Sequence, residues 1–159
     1  TDFVKPLIGG SIYFPVRFPR RSYLAVNSEA GYVHPYNEQG VPIYERFQLG
    51  GEQSLRGYKA GSVIPLDKNQ RVFTDADGRI LGGNKYFVIN VEYVFAQVGP
   101  AKLLAFADLG NSFHESQNVS FEDIRSSVGM EMRIFLPIFQ APEFQWDDYK
   151  GQEDRKSVV

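Results

Sequence analysis

The chain has 159 residues, 17 of them basic and 19 acidic for a formal charge of −2, a length that allows one domain and not comfortably two. With 43% hydrophobic and 23% charged residues it lies outside the composition of disordered chains, and without cysteine it has no disulfide framework, thiolate metal site or cysteine nucleophile. Its basic residues are scattered apart from Arg17, Arg20 and Arg21, which argues against a nucleic-acid partner because counterion release needs a concentrated basic face.

Thirteen Phe and nine Tyr beside 15 Gly and 9 Pro favour strands and turns over helices. No apolar run approaches the roughly 20 residues of a spanning helix, and Thr1 to Lys5 lacks the form of a signal peptide. In chain order, Leu7 to Val16 is a candidate strand interrupted by Gly9 and Gly10. Tyr23 to Val33 sets Leu24, Val26, Ala30 and Tyr32 against Tyr23, Ala25, Asn27, Glu29 and Gly31. The clearest period of two runs from Phe87 to Phe95, with Phe87, Ile89, Val91, Tyr93 and Phe95 on one face and Asn90 and Glu92 on the other. Lys102 to Phe113 alternates with Asp108 as its one acid. Ser127 to Leu136 places Val128, Met130, Met132, Ile134 and Leu136 opposite Ser127, Gly129, Glu131, Arg133 and Phe135. Ala141 to Asp147 is a weaker sixth candidate, giving about six strands of roughly 9 to 11 residues, the length that crosses a bilayer at a tilt.

The connections alternate in length. Pro15 to Arg21, Ala96 to Pro100 and Pro137 to Gln140 are short, Asn111 to Asp123 is longer, and Pro35 to Asn84 is far longer than the rest. Short turns at one end and long loops at the other form the plan of an outer-membrane barrel. A soluble sandwich would also alternate, but it would point Lys, Thr and Ser at water; here the opposite faces hold isolated acids with glycines. The expected fold is therefore all-β, an antiparallel transmembrane β-barrel. Six strands cannot close even the smallest such barrel, and an open edge in lipid leaves backbone groups unsatisfied, so the chain reads as part of a larger barrel. Lys156 to Val159 agrees, resembling a strand that has only begun.

The long loop contains Phe47-Gln48-Leu49-Gly50-Gly51 followed by Leu55-Arg56-Gly57-Tyr58. Downstream lie Phe106-Ala107-Asp108-Leu109-Gly110-Asn111 and Ser127-Val128-Gly129-Met130-Glu131-Met132-Arg133, then Pro137. Together these resemble, in order and spacing over about residues 20 to 140, the signature of the Omp85 superfamily, whose members insert or translocate β-barrel substrates. In that family a Phe-x-Leu-Gly-Gly stretch leads to a Val/Leu-Arg-Gly-Phe/Tyr tetrad on a loop that folds back into the lumen. A Phe-x-Asp-x-Gly-Asn strand and a Ser-x-Gly-x-Gly-Leu-Arg strand follow. Glu131 stands where the last pattern has its second glycine.

The resemblance implies that 1–159 is the C-terminal portion of a roughly sixteen-stranded barrel, with loop 35–84 carrying the functional motif Gly50, Gly51, Leu55, Arg56, Gly57 and Tyr58. It implies a loop arginine held by acids of the barrel wall, mapping onto Arg56, Glu92 and Asp108. Elementary chemistry supports the mapping, since a guanidinium cannot lose its charge and a confined lumen can keep it only beside carboxylates. Gly57 permits a tight turn and Tyr58 can stack or hydrogen-bond. The plainer readings are a solvated Arg56, solvated lumen acids, and a turn rather than a calcium loop at Asp75-Ala76-Asp77-Gly78. His34 and His114 lack ligand partners at metal spacing, and no Ser/His/Asp set is assembled.

The implied activity is insertion and assembly of β-barrel proteins in the outer membrane of a Gram-negative bacterium, with no cofactor and no enzymatic step. The implied partners are the lipid bilayer, unfolded outer-membrane protein substrates and periplasmic accessory proteins, with no nucleic acid. A two-partner secretion transporter of the same superfamily, a passive porin and a soluble carbohydrate-binding sandwich are the alternative readings.

Overall fold

The computed structural model describes residues 2–19, 21–37 and 40–135. The expected strand at 141–147, the turn at 137–140 and the strand opening at 156–159 lie outside them, as does Arg20 of the basic cluster.

Among the described residues the chain is all β apart from one 3-10 turn, Ile43–Glu45. The strands are β1 (Phe3–Val4), β2 (Leu7–Val16), β3 (Ser22–Tyr32), β4 (His34–Pro35), β5 (Lys85–Val98), β6 (Ala101–Phe113) and β7 (Arg125–Ile134). The five long ones form one sheet in the order β2-β3-β5-β6-β7, antiparallel throughout, while β1 and β4 make a separate two-stranded pair. The all-β antiparallel expectation is borne out, and five of its strands fall where alternation puts them. The short β1–β4 pair was not expected. Two residues per strand carry no readable period, and His34 lies in this pair.

Register assigns every side chain to a face, because residues directly opposite point the same way. Asn27, Asn90, Asp108 and Ser127 form one row across four strands, and Ala25, Glu92, Phe106 and Gly129 form the next. These rows make the inner face. Ile12, Val26, Val91, Ala107 and Val128 form an outer row, and Phe14, Leu24, Tyr93, Ala105 and Met130 its neighbour. On β7 the even residues Val128, Met130, Met132 and Ile134 are all exposed while the odd ones are partly covered. β5 and β6 run to 14 and 13 residues, longer than expected. A bulge between Val94 and Ala96 lets them continue; Phe95 has no partner on β6, so the odd-residue face of β5 ends at Tyr93.

Connections of both lengths sit where antiparallel pairing requires. The β2–β3 and β5–β6 turns share one end of the sheet, and the β3–β5 and β6–β7 loops share the other. The β3–β5 loop is not structureless. Bridges pair Phe47 with Gly83 and Leu49 with Val63, so the loop returns on itself and packs on the inner face. Leu49, Leu55 and Val63 bury against Tyr86 and Val88 of β5, flanked by Phe47 and Tyr58.

Beyond Val63 the loop builds two small hairpins of the same design, bridged Leu66 to Val72 and Thr74 to Ile80. In the first, Asp67 Oδ1 accepts from the amides of Asn69 and Arg71, each at 2.8 Å. In the second, Asp75 Oδ1 accepts from the amides of Asp77 at 3.0 Å and Arg79 at 2.8 Å. Left-handed residues at Gln70 and Gly78 close the respective turns. Asp75-Ala76-Asp77-Gly78 is thus a turn. Its backbone amides, that of Arg79 foremost, hold the Asp75 carboxyl below the usual carboxylate range.

The register makes a labelling prediction for the full-length protein folded in a bilayer. Cysteines placed at Ile89 or Met132 should react with lipid-phase probes and resist aqueous reagents that enter the lumen. Placed at Asn90 or Ser127 they should show the opposite preference, and reversal of the two patterns would overturn the face assignment.

Candidate functional site

The inner face would be a poor place for charge without the loop. Its wall offers Glu92 on β5, Asp108 on β6, and Glu131 and Arg133 on β7, and the loop delivers Arg56 among them. Delivery begins at Gly50 and Gly51, both with positive φ, where the Gly51 amide donates to the carbonyls of Leu55 at 3.1 Å and Tyr58 at 2.9 Å. Ser54 Oγ accepts from the Gly50 amide at 2.9 Å, closing the turn. Leu55, fully buried, pins it to the apolar cluster. Asn90 of β5 donates to the Ser54 carbonyl at 2.8 Å, tying the turn to the wall.

Arg56 is 8% exposed and Asp108 0%. The guanidinium meets Asp108 in a two-point fork, Nε to Oδ2 at 2.7 Å and Nη2 to Oδ1 at 2.6 Å, and the Arg56 backbone amide adds a third bond to Oδ2 at 3.0 Å. Nη1 donates to Glu92 at 2.6 Å and to Glu131 at 3.0 Å. The fork is the geometry for which arginine is suited and lysine is not. Below the fork lies the ring of Phe106, 3.9 Å from the guanidinium carbon to its centroid. That ring in turn lies over Gly129, where a Cβ would come within 2.7 Å of Phe106 Cζ. Glycine at 129 is therefore a packing requirement.

A second arginine completes the cluster. Arg133 donates to Glu92 at 2.6 and 3.1 Å and to Glu131 at 2.7 and 3.1 Å, so both glutamates are shared between two guanidinium groups. Two cations face three carboxylates, leaving one formal negative charge in excess. Gly57, at φ 83°, turns the chain away in a backbone conformation that side-chain-bearing residues rarely adopt, although a Cβ there would make only ordinary contact with that of Ser127 at 3.5 Å. Tyr58 then donates its hydroxyl to the Ser126 carbonyl at 3.1 Å, so the tetrad ends attached to β7.

Of the residues singled out in the sequence, Arg56, Glu92 and Asp108 meet directly. Gly57 and Tyr58 flank them, and Gly50, Gly51 and Leu55 shape the approach without touching an acid. Glu131, Arg133 and Phe106 complete the site and were not assigned to it. Period two had put Glu131 and Arg133 on the inner face; that they converge on Arg56 depends on strand stagger. Between the loop and the β2–β3 wall lies a polar cavity of about 860 Å³ bordered by Ser11, Asn27, Glu29 and Glu92, where the Tyr86 hydroxyl donates to Glu29.

The outer end of the loop is fastened separately. Phe73 stacks on His114 with centroids 4.1 Å apart and planes 4° apart. Burial, then the nearby Arg46, hold the His114 imidazole below its ordinary pKa; Lys85 adds to this and Glu115 opposes it.

An antiparallel wall of five strands, period-two faces and a charged loop plugged against the inner side define a barrel wall of the outer-membrane type with an inserted loop. The Omp85 superfamily domain matches residues 1–143, and the chain belongs to that superfamily. The outer membrane protein assembly factor BamA of Nitratidesulfovibrio vulgaris is 30% identical over 141 residues, 86% of this chain and 17% of that protein. A SAM50-like protein of Schizosaccharomyces pombe is 26% identical over 115 residues, 69% of this chain and 22% of that protein. The crystal structure of BamA from Haemophilus ducreyi lacking POTRA domains 1–3 superposes with a TM-score of 0.68 at 19% identity, over 85% of this chain and 29% of that one. That likeness places the sheet in the fold of the BamA barrel. The chain spans only 17% and 22% of the lengths of the two curated relatives.

Two measurements probe this geometry in the full-length protein. Arg56→Ala leaves a buried carboxylate without its cation and should cost about 3–5 kcal/mol in denaturant unfolding, with Arg56→Lys recovering only part. A double-mutant cycle of Arg56→Ala with Asp108→Asn should be non-additive by more than about 0.5 kcal/mol. For His114, a depressed folded-state pKa means that the undocked loop binds the proton more readily. Docking should therefore be intact above pH of about 6.5 and weaken as pH falls below it. Protease cleavage between residues 66 and 80 should rise over that window, and His114→Phe should flatten the dependence.

Proposed function

We propose that this chain is the C-terminal portion of the barrel domain of an outer-membrane assembly factor, which inserts and folds other β-barrel proteins in a Gram-negative outer membrane. The observation that carries the proposal is the buried Arg56 fork. A loop of this length fixed to the inner wall by one arginine and three carboxylates is a built plug, and a passive pore needs no such investment in desolvated charge. The role printed for the Nitratidesulfovibrio vulgaris relative, outer membrane protein assembly factor, supports the assembly reading, and the lipid bilayer, unfolded barrel substrates and periplasmic accessory proteins follow from it as partners. No cofactor and no covalent step enter the reading.

In this mechanism the barrel wall acts through its backbone. A weakly closed seam between the first and last strands of the complete barrel exposes amides and carbonyls that pair with an incoming strand, adding it edge to edge. The clasp contributes by keeping loop 35–84 against the wall, so that the loop braces β5, β6 and β7 while the seam opens. Arg56, Glu92, Asp108 and Glu131 hold the loop, Gly57 and Tyr58 fix its exit, and Gly50, Gly51 and Leu55 set its entry.

The test is insertion in proteoliposomes carrying the full-length protein with its accessory subunits and an unfolded eight-stranded substrate. Arg56→Ala should slow the appearance of heat-modifiable, protease-resistant substrate by about tenfold or more, with the variant itself still folded in the membrane. Substrate crossing the bilayer into the vesicle interior instead of inserting would favour a secretion transporter, and conductance indifferent to substrate would favour a porin.

A further inference from the structure

Two adjoining apolar grooves, of about 420 and 610 Å³, run along the outer face and share Ile8, Ala30, Phe87 and Val119. Their floor follows from cross-strand pairing. Gly10 lies opposite Ser28, itself opposite Ile89, and Ala30 lies between Ile8 and Phe87. The small residues leave a trough; a Cβ on Gly10 would meet nothing within 4 Å. One wall comes from the β6–β7 loop, which folds back over the sheet and sets the Phe121 ring 5.8 Å from that of Phe87. Phe121 and Val119 remain 76% and 50% exposed, so the wall they make is unfilled on its open side.

The end of the trough nearest the long loops has a different chemistry. Lys85, the outward first residue of β5, lines it beside its cross-strand partner Tyr32. The ammonium donates only to the neutral carbonyls of Gln117 at 2.8 Å and Glu115 at 3.4 Å, and among the described residues no carboxylate pairs with it. Of its three N–H donors, one is left over from these two bonds. The Tyr32 hydroxyl sits beside the His34 ring, 3.3 Å from Nδ1.

We propose that this groove binds a phosphate-bearing anionic lipid, one acyl chain lying in the Gly10–Ser28–Ala30 trough and the phosphate held by Lys85 with Tyr32 at the strand end. A lipid without a phosphate would leave the cation unused, a zwitterionic one would bring its own headgroup cation against Lys85, and a free anion would leave the trough empty; the pairing of groove and lysine selects the anionic phospholipid. The strand end is the level at which headgroups meet a barrel, and the trough runs from it toward the middle of the outer face. The inference rests on the reading of the chain as an outer-membrane barrel.

The full-length protein is folded in vesicles of equimolar phosphatidylglycerol and phosphatidylcholine with identical acyl chains, extracted, and its retained lipids weighed by native mass spectrometry. Phosphatidylglycerol should be retained roughly fivefold over phosphatidylcholine, the ratio expected from one lysine near an anionic headgroup. Lys85→Met should abolish the preference and Lys85→Arg should keep it. Gly10→Phe, which fills the trough without backbone strain, should lose bound lipid of both kinds. Equal retention of the two lipids, or a Gly10→Phe protein that binds as before, would overturn the lipid site while leaving the barrel reading intact. A protein that never acquires heat-modifiable migration in the vesicles would overturn the barrel reading, and the lipid site with it.

Discussion

A guanidinium that cannot shed its proton has been placed where water is scarce, and the surrounding architecture follows from keeping it there. Arg56 needs acceptors on several sides. Three neighbouring strands supply them, Asp108 from β6, Glu92 from β5 and Glu131 from β7. The contact is therefore not one between loop and strand but a junction of four chain segments. Its strength comes from the completeness of the set: taking away the cation would leave desolvated carboxylates in place, a far larger cost than the net worth of any one bond. Arg133 matters for the same reason, since it supplies the cation that two otherwise crowded glutamates require.

The cluster is also a device for stacking. Phe106 lies between the plane of the guanidinium and the bare backbone of Gly129, so one aromatic ring fixes the height of Arg56 above the sheet. At this position the substitution of glycine by Glu131 two residues further along β7 is intelligible. Gly129 must stay small to seat the ring, whereas Glu131 lies opposite Leu104 in the register and has space to reach the guanidinium.

Much of this was legible in the sequence, for definable reasons. Period two is a local property, so the faces of β3, β5, β6 and β7 could be read directly, including the inward placement of Glu92 and Asp108. The tetrad and the glycines before it stand out because positive φ and a buried arginine restrict the residues that can serve. What escaped depends on non-local geometry. The share of Glu131 and Arg133 in the cluster depends on the stagger between β5, β6 and β7, which no single strand encodes. The bulge at Phe95 is invisible because Tyr93, Val94, Phe95 and Ala96 are all apolar and leave no alternation to be broken. The β1–β4 pair is too short for any period and exists because the chain enters and leaves the β2–β3 hairpin at the same end.

The two Asp-capped hairpins between residues 64 and 81 close their turns on the carboxylates of Asp67 and Asp75, within five residues each. Neither draws on the barrel wall for its turn. A segment built from such self-contained modules can gain or lose one at the modest entropic cost of a slightly longer closed loop, with no disturbance passed to the arginine below. The reach of the loop beyond the barrel rim and the strength of its anchorage are therefore separable quantities. A change in the number of these hairpins would alter the first and leave the second as it is.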